Sequence, residues 1–330
     1  MNNVLAALLT AGVVAVGLTT VTSGQSSVVQ SHLAAAKGAA GTDHRGLFDR
    51  LCAPGAVTGG TPAPARAGGV AAARAQPAPP PPAAQWHAEP AQVFDNLYYV
   101  GMTEYSAWAV TTSQGIILID AIFDYSVEDE VVNGLKTLGL DPAQIKYVLI
   151  SHAHSDHAAG ARLLQERFGA RLIMSAADWD MLDRTNPAWK PKRDMVATDG
   201  QKLTLGDTTL TLYLTPGHTP GTISTLVPVR DGGRAHLAAA WGGTAFNFGP
   251  NREILATYIK SSERFRDVVT RAGADVLIAN HTNFDGTKVK VPALAKRRPG
   301  DPHPYVIGND AVKRYVTVAN ECAQAALAGI

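Results

Sequence analysis

Five histidines and one aspartate in this chain have the residue types and the spacing of metal ligands. Four of the six lie within one hexapeptide, His152-Ala153-His154-Ser155-Asp156-His157, directly after the apolar stretch 147–150. His218 and His281 follow later, each again just past a stretch of β-type sequence. Imidazole and carboxylate are ligands that zinc prefers, and three protein ligands plus solvent make an open zinc site. Six ligands are therefore enough for two metal ions.

The hexapeptide is predicted to lie where a strand passes into a helix. Histidines two residues apart on an extended segment point to the same side, so His152 and His154 can bind one ion together. Asp156 and His157 would then lie at the turn into a helix over Ala158–Phe168. The alternative is a polar loop in which the aspartate caps that helix and the histidines are solvated. We favour a metal site because the order of strand followed by ligand recurs at both later histidines.

These motifs resemble those of the metallo-β-lactamase superfamily. An H-x-H-x-D-H hexapeptide followed by two later single histidines is typical of that fold, and the resemblance runs from about Trp86 to the C-terminus. Its further pieces are Asn96–Gly101, Gly115–Ala121 and Thr215–Thr222. The resemblance implies an α/β protein with a four-layer αββα sandwich, in which two mixed β-sheets lie face to face with helices on the outer faces. The metals would lie at one edge, between the sheets.

Within the superfamily, the chain most resembles subclass B3 of the metallo-β-lactamases. Several other branches carry a bridging aspartate on the strand between the last two histidines, but here that strand, Ala235–Ala240, runs into Trp241-Gly242-Gly243-Thr244 without a carboxylate. Two other β-lactamase subclasses use a cysteine ligand in this region, and no cysteine lies between Cys52 and Cys322. The resemblance to subclass B3 implies two zinc ions per chain. The first would be bound by His152, His154 and His218, and the second by Asp156, His157 and His281.

This ligand set implies a hydrolase in which a hydroxide shared by two zinc ions attacks a carbonyl and opens a cyclic amide, as in β-lactamases. Asp156 would act as the catalytic residue that orients the nucleophile, besides binding the second zinc. Subclass B3 members often bind the substrate carboxylate through serines, and here only Thr244 and Asn247 could replace them. Trp241, at the end of its strand, is the third candidate for a substrate contact.

The altered pocket leaves two further hypotheses for the function. One is a hydrolase of esters, lactones or thioesters that uses the same metals and has no significant β-lactamase activity. The other is a metal-binding or redox protein of the same fold. The chain contains neither a G-x-G pattern nor a G-x-S-x-G pattern, so it lacks the dinucleotide-binding fingerprint and the serine-hydrolase elbow.

The composition places the catalytic domain at residues 86–330. The apolar run Val4–Leu18 predicts a signal peptide or an uncleaved apolar anchor within residues 1–30, and hence a periplasmic or secreted protein or an anchored one. Residues 31–85 are predicted to be a largely disordered linker, because a segment so rich in Ala, Pro and Gly buries too little apolar surface to offset its ordering entropy. We therefore expect a protein lacking residues 1–84 to remain folded and to bind zinc.

The two cysteines and the charge leave few further constraints. Cys322 lies at the border of an apolar helical stripe, so packing is the favoured interpretation, and a disulfide with Cys52 in an oxidising compartment is the alternative. The formal net charge is +1, from 29 basic and 28 acidic residues, so no nucleic-acid surface is expected. The predicted partner is a small-molecule substrate. No obligate protein partner is indicated, and the membrane is a partner only if the N-terminal segment stays uncleaved.

Overall fold

The structure is a computed structural model that describes residues 21–53 and 79–330. The strands in this part of the chain are β1 (Ala91–Phe94), β2 (Leu97–Tyr99), β3 (Trp108–Thr112), β4 (Gly115–Ile119), β5 (Ile145–Leu149), β6 (Arg171–Ser175), β7 (Met195–Ala197), β8 (Lys202–Leu205), β9 (Thr208–Leu214), β10 (Ile223–Asp231), β11 (Arg234–Trp241) and β12 (Val276–Ala279). The α-helices are α1 (Val21–Ala40), α2 (Arg45–Leu51), α3 (Gly134–Thr137), α4 (Ser155–Ala158), α5 (Ala161–Phe168), α6 (Ala176–Thr185), α7 (Arg252–Ala272), α8 (Thr282–Asp285), α9 (Thr287–Leu294) and α10 (Asn309–Ala328).

The strands form two mixed sheets. In the first sheet the order is β1-β2-β3-β4-β5-β6-β7, with antiparallel pairing up to β4 and parallel pairing from β4 to β7. In the second sheet the order is β12-β11-β10-β9-β8, and only β11 and β12 are parallel. Parallel neighbours are joined by helical crossovers, which is why helices cover the outer faces.

Three apolar layers hold the sandwich together, and strand periodicity decides which residues enter each layer. Along β4, Ile117 packs between the two sheets, whereas Ile116 and Leu118 pack on the opposite side, against the helices that cover the first sheet. Successive side chains of a strand point to opposite faces, so a strand buried on both sides reads as a continuous apolar run. The helices α7 and α10 cover the second sheet in the same way. The predicted αββα architecture is confirmed.

The loops that follow four strands meet at one edge of the sandwich. β4 and β5 run parallel in the first sheet, and β11 and β12 run parallel in the second, so each pair delivers its carboxyl ends to the same side. Backbone and side-chain hydrogen bonds join these ends across the sheets. The amide of Ile223 donates to the carbonyl of Ser151 over 2.8 Å, and the side chain of Asn280 donates to the hydroxyl of Ser151 over 3.3 Å. This edge carries all six predicted ligands.

The prediction that residues 31–85 form a linker is wrong for residues 31–53. Helices α1 and α2 pack against α10, and Ala36, Ala40 and Leu47 are buried there in the apolar layer outside the second sheet. Small alanine side chains allow close helix contact, so a composition that looks unable to form a core forms one against α10. Cys52 and Cys322 form a disulfide that fixes this contact. The packing interpretation of Cys322 is therefore incomplete, because the residue is both buried and bonded.

The apolar run Val4–Leu18 and the stretch 54–78 lie outside the described residues. Within the described part of the chain, no helix is both long and apolar enough to span a bilayer.

Candidate metal centre

The structure brings all six predicted ligands together in the two predicted groups. Within each group, the potential ligand atoms lie within 4.8 Å of one another. His152 and His154 follow β5, and Asp156 and His157 lie in the short helix α4. His218 lies between β9 and β10, and His281 directly follows β12. The alternative of a solvated polar loop is wrong, because His152 and His157 are almost completely buried.

The first group consists of His152, His154 and His218. Nε2 of His218 lies 3.1 Å from Nε2 of His152 and 3.1 Å from Nδ1 of His154. Ligands at the usual zinc–nitrogen distance in a tetrahedral site are about 3.3 Å apart. The spacing of these nitrogens therefore matches a single tetrahedral ion.

The second group consists of Asp156, His157 and His281. Nε2 of His157 lies 3.2 Å from Nε2 of His281. An oxygen of Asp156 lies 3.2 Å from the first of these nitrogens and 3.5 Å from the second. The group again has the size of one coordination sphere.

The hydrogen bonds of the outer ring nitrogens test whether a cation fits between these side chains. Nδ1 of His152 donates to the carbonyl of Gly242 over 2.8 Å, and Nδ1 of His218 donates to the carbonyl of Ala245 over 2.7 Å. In a neutral imidazole the other nitrogen, Nε2, then carries a lone pair. Two such lone pairs 3.1 Å apart repel each other and cannot form a hydrogen bond. A metal cation between them accepts both, so the donor set fits zinc.

Burial and nearby charges shift the pKa values of the histidines in the centre, and these shifts bear on metal binding. Burial lowers the pKa of His218 and of His281 to about 3, so both rings are neutral at pH 7 and can donate a lone pair. Burial opposes the charge on His157 as well, but the carboxylates of Asp156 and Asp120 outweigh it and raise the pKa of His157 to about 10. The charge of His157 holds the pKa of Asp156 below its usual value despite burial. A metal cation bound to Nε2 of His157 would replace the proton on that nitrogen.

Asp120 is a positioning residue that the sequence motifs did not reveal. Its carboxylate accepts hydrogen bonds from the amide of Ser151 over 2.7 Å, from the hydroxyl of Ser151 over 2.9 Å, and from Nδ1 of His157 over 3.0 Å. It follows β4 directly and adopts a φ of 61°, and Ile122 adopts a φ of 50°. Such backbone strain is rare for residues other than glycine and concentrates at functional sites. The signal in the sequence was an acidic residue at the end of an apolar strand.

Asp178 joins the two loops that carry the first group. The side chain lies in α6 and accepts hydrogen bonds from the amide of Ala153 over 2.9 Å, the amide of Gly221 over 2.8 Å and the hydroxyl of Thr219 over 2.8 Å. A Cβ on Gly221 would lie 1.8 Å from the hydroxyl oxygen of Ser175, so only glycine fits beside this carboxylate. Buried carboxylates are tolerated when they are fully hydrogen-bonded in this way.

The structure corrects two of the three predicted substrate contacts. Trp241 is buried outside the second sheet, where its Nε1 donates to the hydroxyl of Tyr258 over 3.0 Å. Thr244 is also buried, with its hydroxyl 3.2 Å from that of Tyr315. Both side chains face the helical layer rather than the metal centre. Asn247 is exposed and remains a candidate contact.

Two surfaces flank the centre. Beside the second group, the ring of Tyr105 lies 5.0 Å from that of His281. Burial raises the pKa of Tyr105, and the nearby charge of Asp156 raises it further. Beside the first group, a cavity of about 350 Å³ opens next to His218, with Glu253 among its lining residues.

Comparison with known proteins agrees with this fold. The sequence profile of the metallo-beta-lactamase superfamily matches residues 101–232. The crystal structure of BJP-1, a subclass B3 metallo-beta-lactamase of Bradyrhizobium japonicum, superimposes with a TM-score of 0.60 at 28% identity, covering 70% of this chain and 90% of that one. The chain belongs to the metallo-β-lactamase superfamily.

Curated relatives of this chain match it over shorter stretches. A hydroxyacylglutathione hydrolase of Acidiphilium cryptum is 38% identical over 114 residues, which cover 34% of this chain and 41% of the relative. An N-acyl homoserine lactonase of a Bacillus species is 28% identical over 155 residues, which cover 44% of this chain and 59% of the relative. The chain thus spans about half the length of these relatives.

Proposed function

We propose that this protein is a di-zinc hydrolase that opens a cyclic amide, as a β-lactamase does. The observation that carries the proposal is the pair of adjacent three-ligand groups, in which Asp156 is the only carboxylate. β11 brings no acidic residue to the centre, and the chain passes from it through Gly242 and Gly243. The likeness to the subclass B3 enzyme covers nearly all of that enzyme and supports the same assignment.

Zinc bound to the two groups would supply an activated water as nucleophile and an electrophile for the carbonyl oxygen of the substrate. The chain's own residues fix where that chemistry takes place. Asp156 is partly exposed and supplies the negative charge of the second group, so it can orient the attacking water and accept its proton. The carboxylate of Asp120 and the carbonyl of Gly242 hold the rings of His157 and His152 in the tautomers that bind metal.

We also propose that the protein works in an oxidising compartment, the periplasm or the outside of the cell. The disulfide between Cys52 and Cys322 supports this location, since structural disulfides are rare where thiols are kept reduced.

A second candidate function is the hydrolysis of a lactone, an ester or a thioester. The burial of Thr244 favours it, because that hydroxyl was one of two candidates for binding the carboxylate that β-lactams carry. The likeness to an N-acyl homoserine lactonase and to a hydroxyacylglutathione hydrolase supports the same candidate.

One assay separates the two candidates. Purified zinc-loaded protein is mixed with a chromogenic cephalosporin and, separately, with a simple N-acyl homoserine lactone, and kcat/KM is measured for each. We expect the cephalosporin to be opened with kcat/KM of at least about 10⁴ M⁻¹s⁻¹, the lower end of the range for enzymes on their own substrates. The variant His218→Ala, purified in parallel, is the control for a contaminating β-lactamase and should be inactive.

Activity on the lactone without activity on the cephalosporin would reject the first candidate and establish the second. Equal activity of the parent and His218→Ala would show that the metal centre is not responsible for the reaction.

A further inference from the structure

A continuous row of aromatic rings begins at the second ligand group and leads away from it. Tyr105 lies 5.0 Å from His281 between ring centroids, and Phe123 meets Tyr105 edge-on at 5.1 Å. Tyr125 stacks on Phe123 at 5.0 Å. We call Tyr105, Phe123 and Tyr125 the aromatic wall. All three are only partly buried, so their rings are accessible at the surface beside the centre.

The loops that carry the ligands also fix the aromatic wall. Tyr105 pairs with His281 through an isolated β-bridge, and the amide of Ser106 donates to the carbonyl of Asn280 over 2.9 Å. The amide of Ala121 donates to the carbonyl of His157 over 2.8 Å, and the amide of Gly160 donates to the carbonyl of Ile122 over 2.9 Å, which holds the segment before Phe123 against the ligand segment. The wall therefore keeps a fixed position relative to the metal centre, as a specificity surface requires.

The charges beside the wall restrict what it can bind. Asp124 is an exposed carboxylate that lies between Phe123 and Tyr125 in the sequence, and Asp156 lies near Tyr105 and Tyr125. On the opposite flank, Glu253 lines the cavity beside His218. The wall itself carries no cationic side chain that could pair with an anionic group, whereas flat apolar groups stack well on its exposed rings.

We infer that the aromatic wall binds a neutral aromatic substituent of the substrate, such as a phenylacetyl group, while the scissile bond lies at the metal centre. This inference rests on the proposed hydrolase function but not on which bond is cut. It concerns the substituent that amide and lactone substrates can share. Tyr105 contacts His281, which is a proposed metal ligand, so the test changes only Phe123 and Tyr125.

The experiment compares matched substrates in both series. In the amide series, a phenylacetyl penicillin is compared with the same nucleus bearing a free amine. In the lactone series, phenylacetyl homoserine lactone is compared with its acetyl analogue. We expect a preference in kcat/KM of about tenfold for the phenylacetyl partner, mainly through KM, in whichever series is hydrolysed. In Phe123→Ala and Tyr125→Ala the preference should fall to near one, and Phe123→Tyr should restore it.

Phe168→Ala is the matched control, because Phe168 is also partly buried and packs on the same apolar layer, at the far end of α5. It should keep the parental preference. An unchanged preference in the two wall variants, or an equal loss on both members of a pair, would overturn the inference.

A binding measurement makes the test independent of turnover. Saturation-transfer NMR on the zinc-loaded protein should show contact with a neutral phenylacetyl amide, and the double variant Phe123→Ala/Tyr125→Ala should lose the signal. If no substrate is hydrolysed but this signal is present and sensitive to the wall variants, the proposed function fails and the inference stands. If the signal is absent or survives in the double variant, the inference fails.

Discussion

Replacing Asp156 with asparagine should lower kcat/KM by more than about a hundredfold on every substrate that the protein hydrolyses. Mutation of residues that merely support metal ligands costs 10- to 100-fold in metal affinity or activity, and loss of the charged ligand itself should cost more. Asparagine keeps the shape of the side chain but removes the only negative charge among the six predicted ligands. Because activation of the nucleophile is common to all substrates, the loss should be uniform.

The measurement is kcat/KM for a penicillin, a carbapenem and a simple lactone, with metal content determined on the same samples. Asp129→Asn provides the matched control, since Asp129 is an exposed carboxylate outside the centre. Near-parental turnover in an Asp156→Asn protein that still holds two zinc ions would contradict the role given to this residue. A loss confined to one substrate would point to substrate binding instead.

Replacing both Cys52 and Cys322 with serine should lower the free energy of unfolding by about 2–4 kcal/mol, the range found for native disulfides. The bond links positions 270 residues apart, so it restricts the unfolded chain strongly. It also holds α2 and the end of α1 on α10, where Leu51 is buried. Urea unfolding of parent and variant, each with and without a reductant, measures the effect.

The reductant should shift the unfolding midpoint of the parent to that of the double variant and leave the variant unchanged. Equal stability of the oxidised parent and the variant would show that the two helices stay docked without the bond and that loop closure contributes nothing. Removal of residues 1–53 should destabilise the protein further, because it uncovers the face of α10 that carries Val312 and Tyr315.

The ligand set and the sandwich could be predicted from the sequence because both rest on local patterns. Each ligand follows a strand within a few residues, and strands that end at one edge of a sheet bring such residues together. Asp120 also follows a strand, but a lone acidic residue has many possible roles. Its function is clear only when Ser151 and His157, more than thirty residues later, are seen to donate to it.

The incorrect predictions concern residues whose sequence lacks periodicity or whose packing partner is distant in the chain. The run from Ala238 to Ala240 offers no alternation of large and small residues, so it could not show which face of β11 carries Trp241. Thr244 is buried because the hydroxyl of Tyr315, on the C-terminal helix, pairs with it. Likewise, alanine-rich α1 looks like a linker until α10 is placed beside it, because burial there depends on a non-local contact.

If the six ligands form two metal sites, the zinc stoichiometry of the purified protein should show it. Metal-free protein is titrated with zinc by calorimetry, and the bound metal is then measured by elemental analysis after gel filtration. We expect two zinc ions per parent chain and one per His281→Ala chain, with the first site intact. His87→Ala, which changes a half-exposed histidine outside the centre, should still bind two. A single zinc ion per parent chain at saturation, or the loss of both ions in His281→Ala, would contradict the assignment of two metal sites.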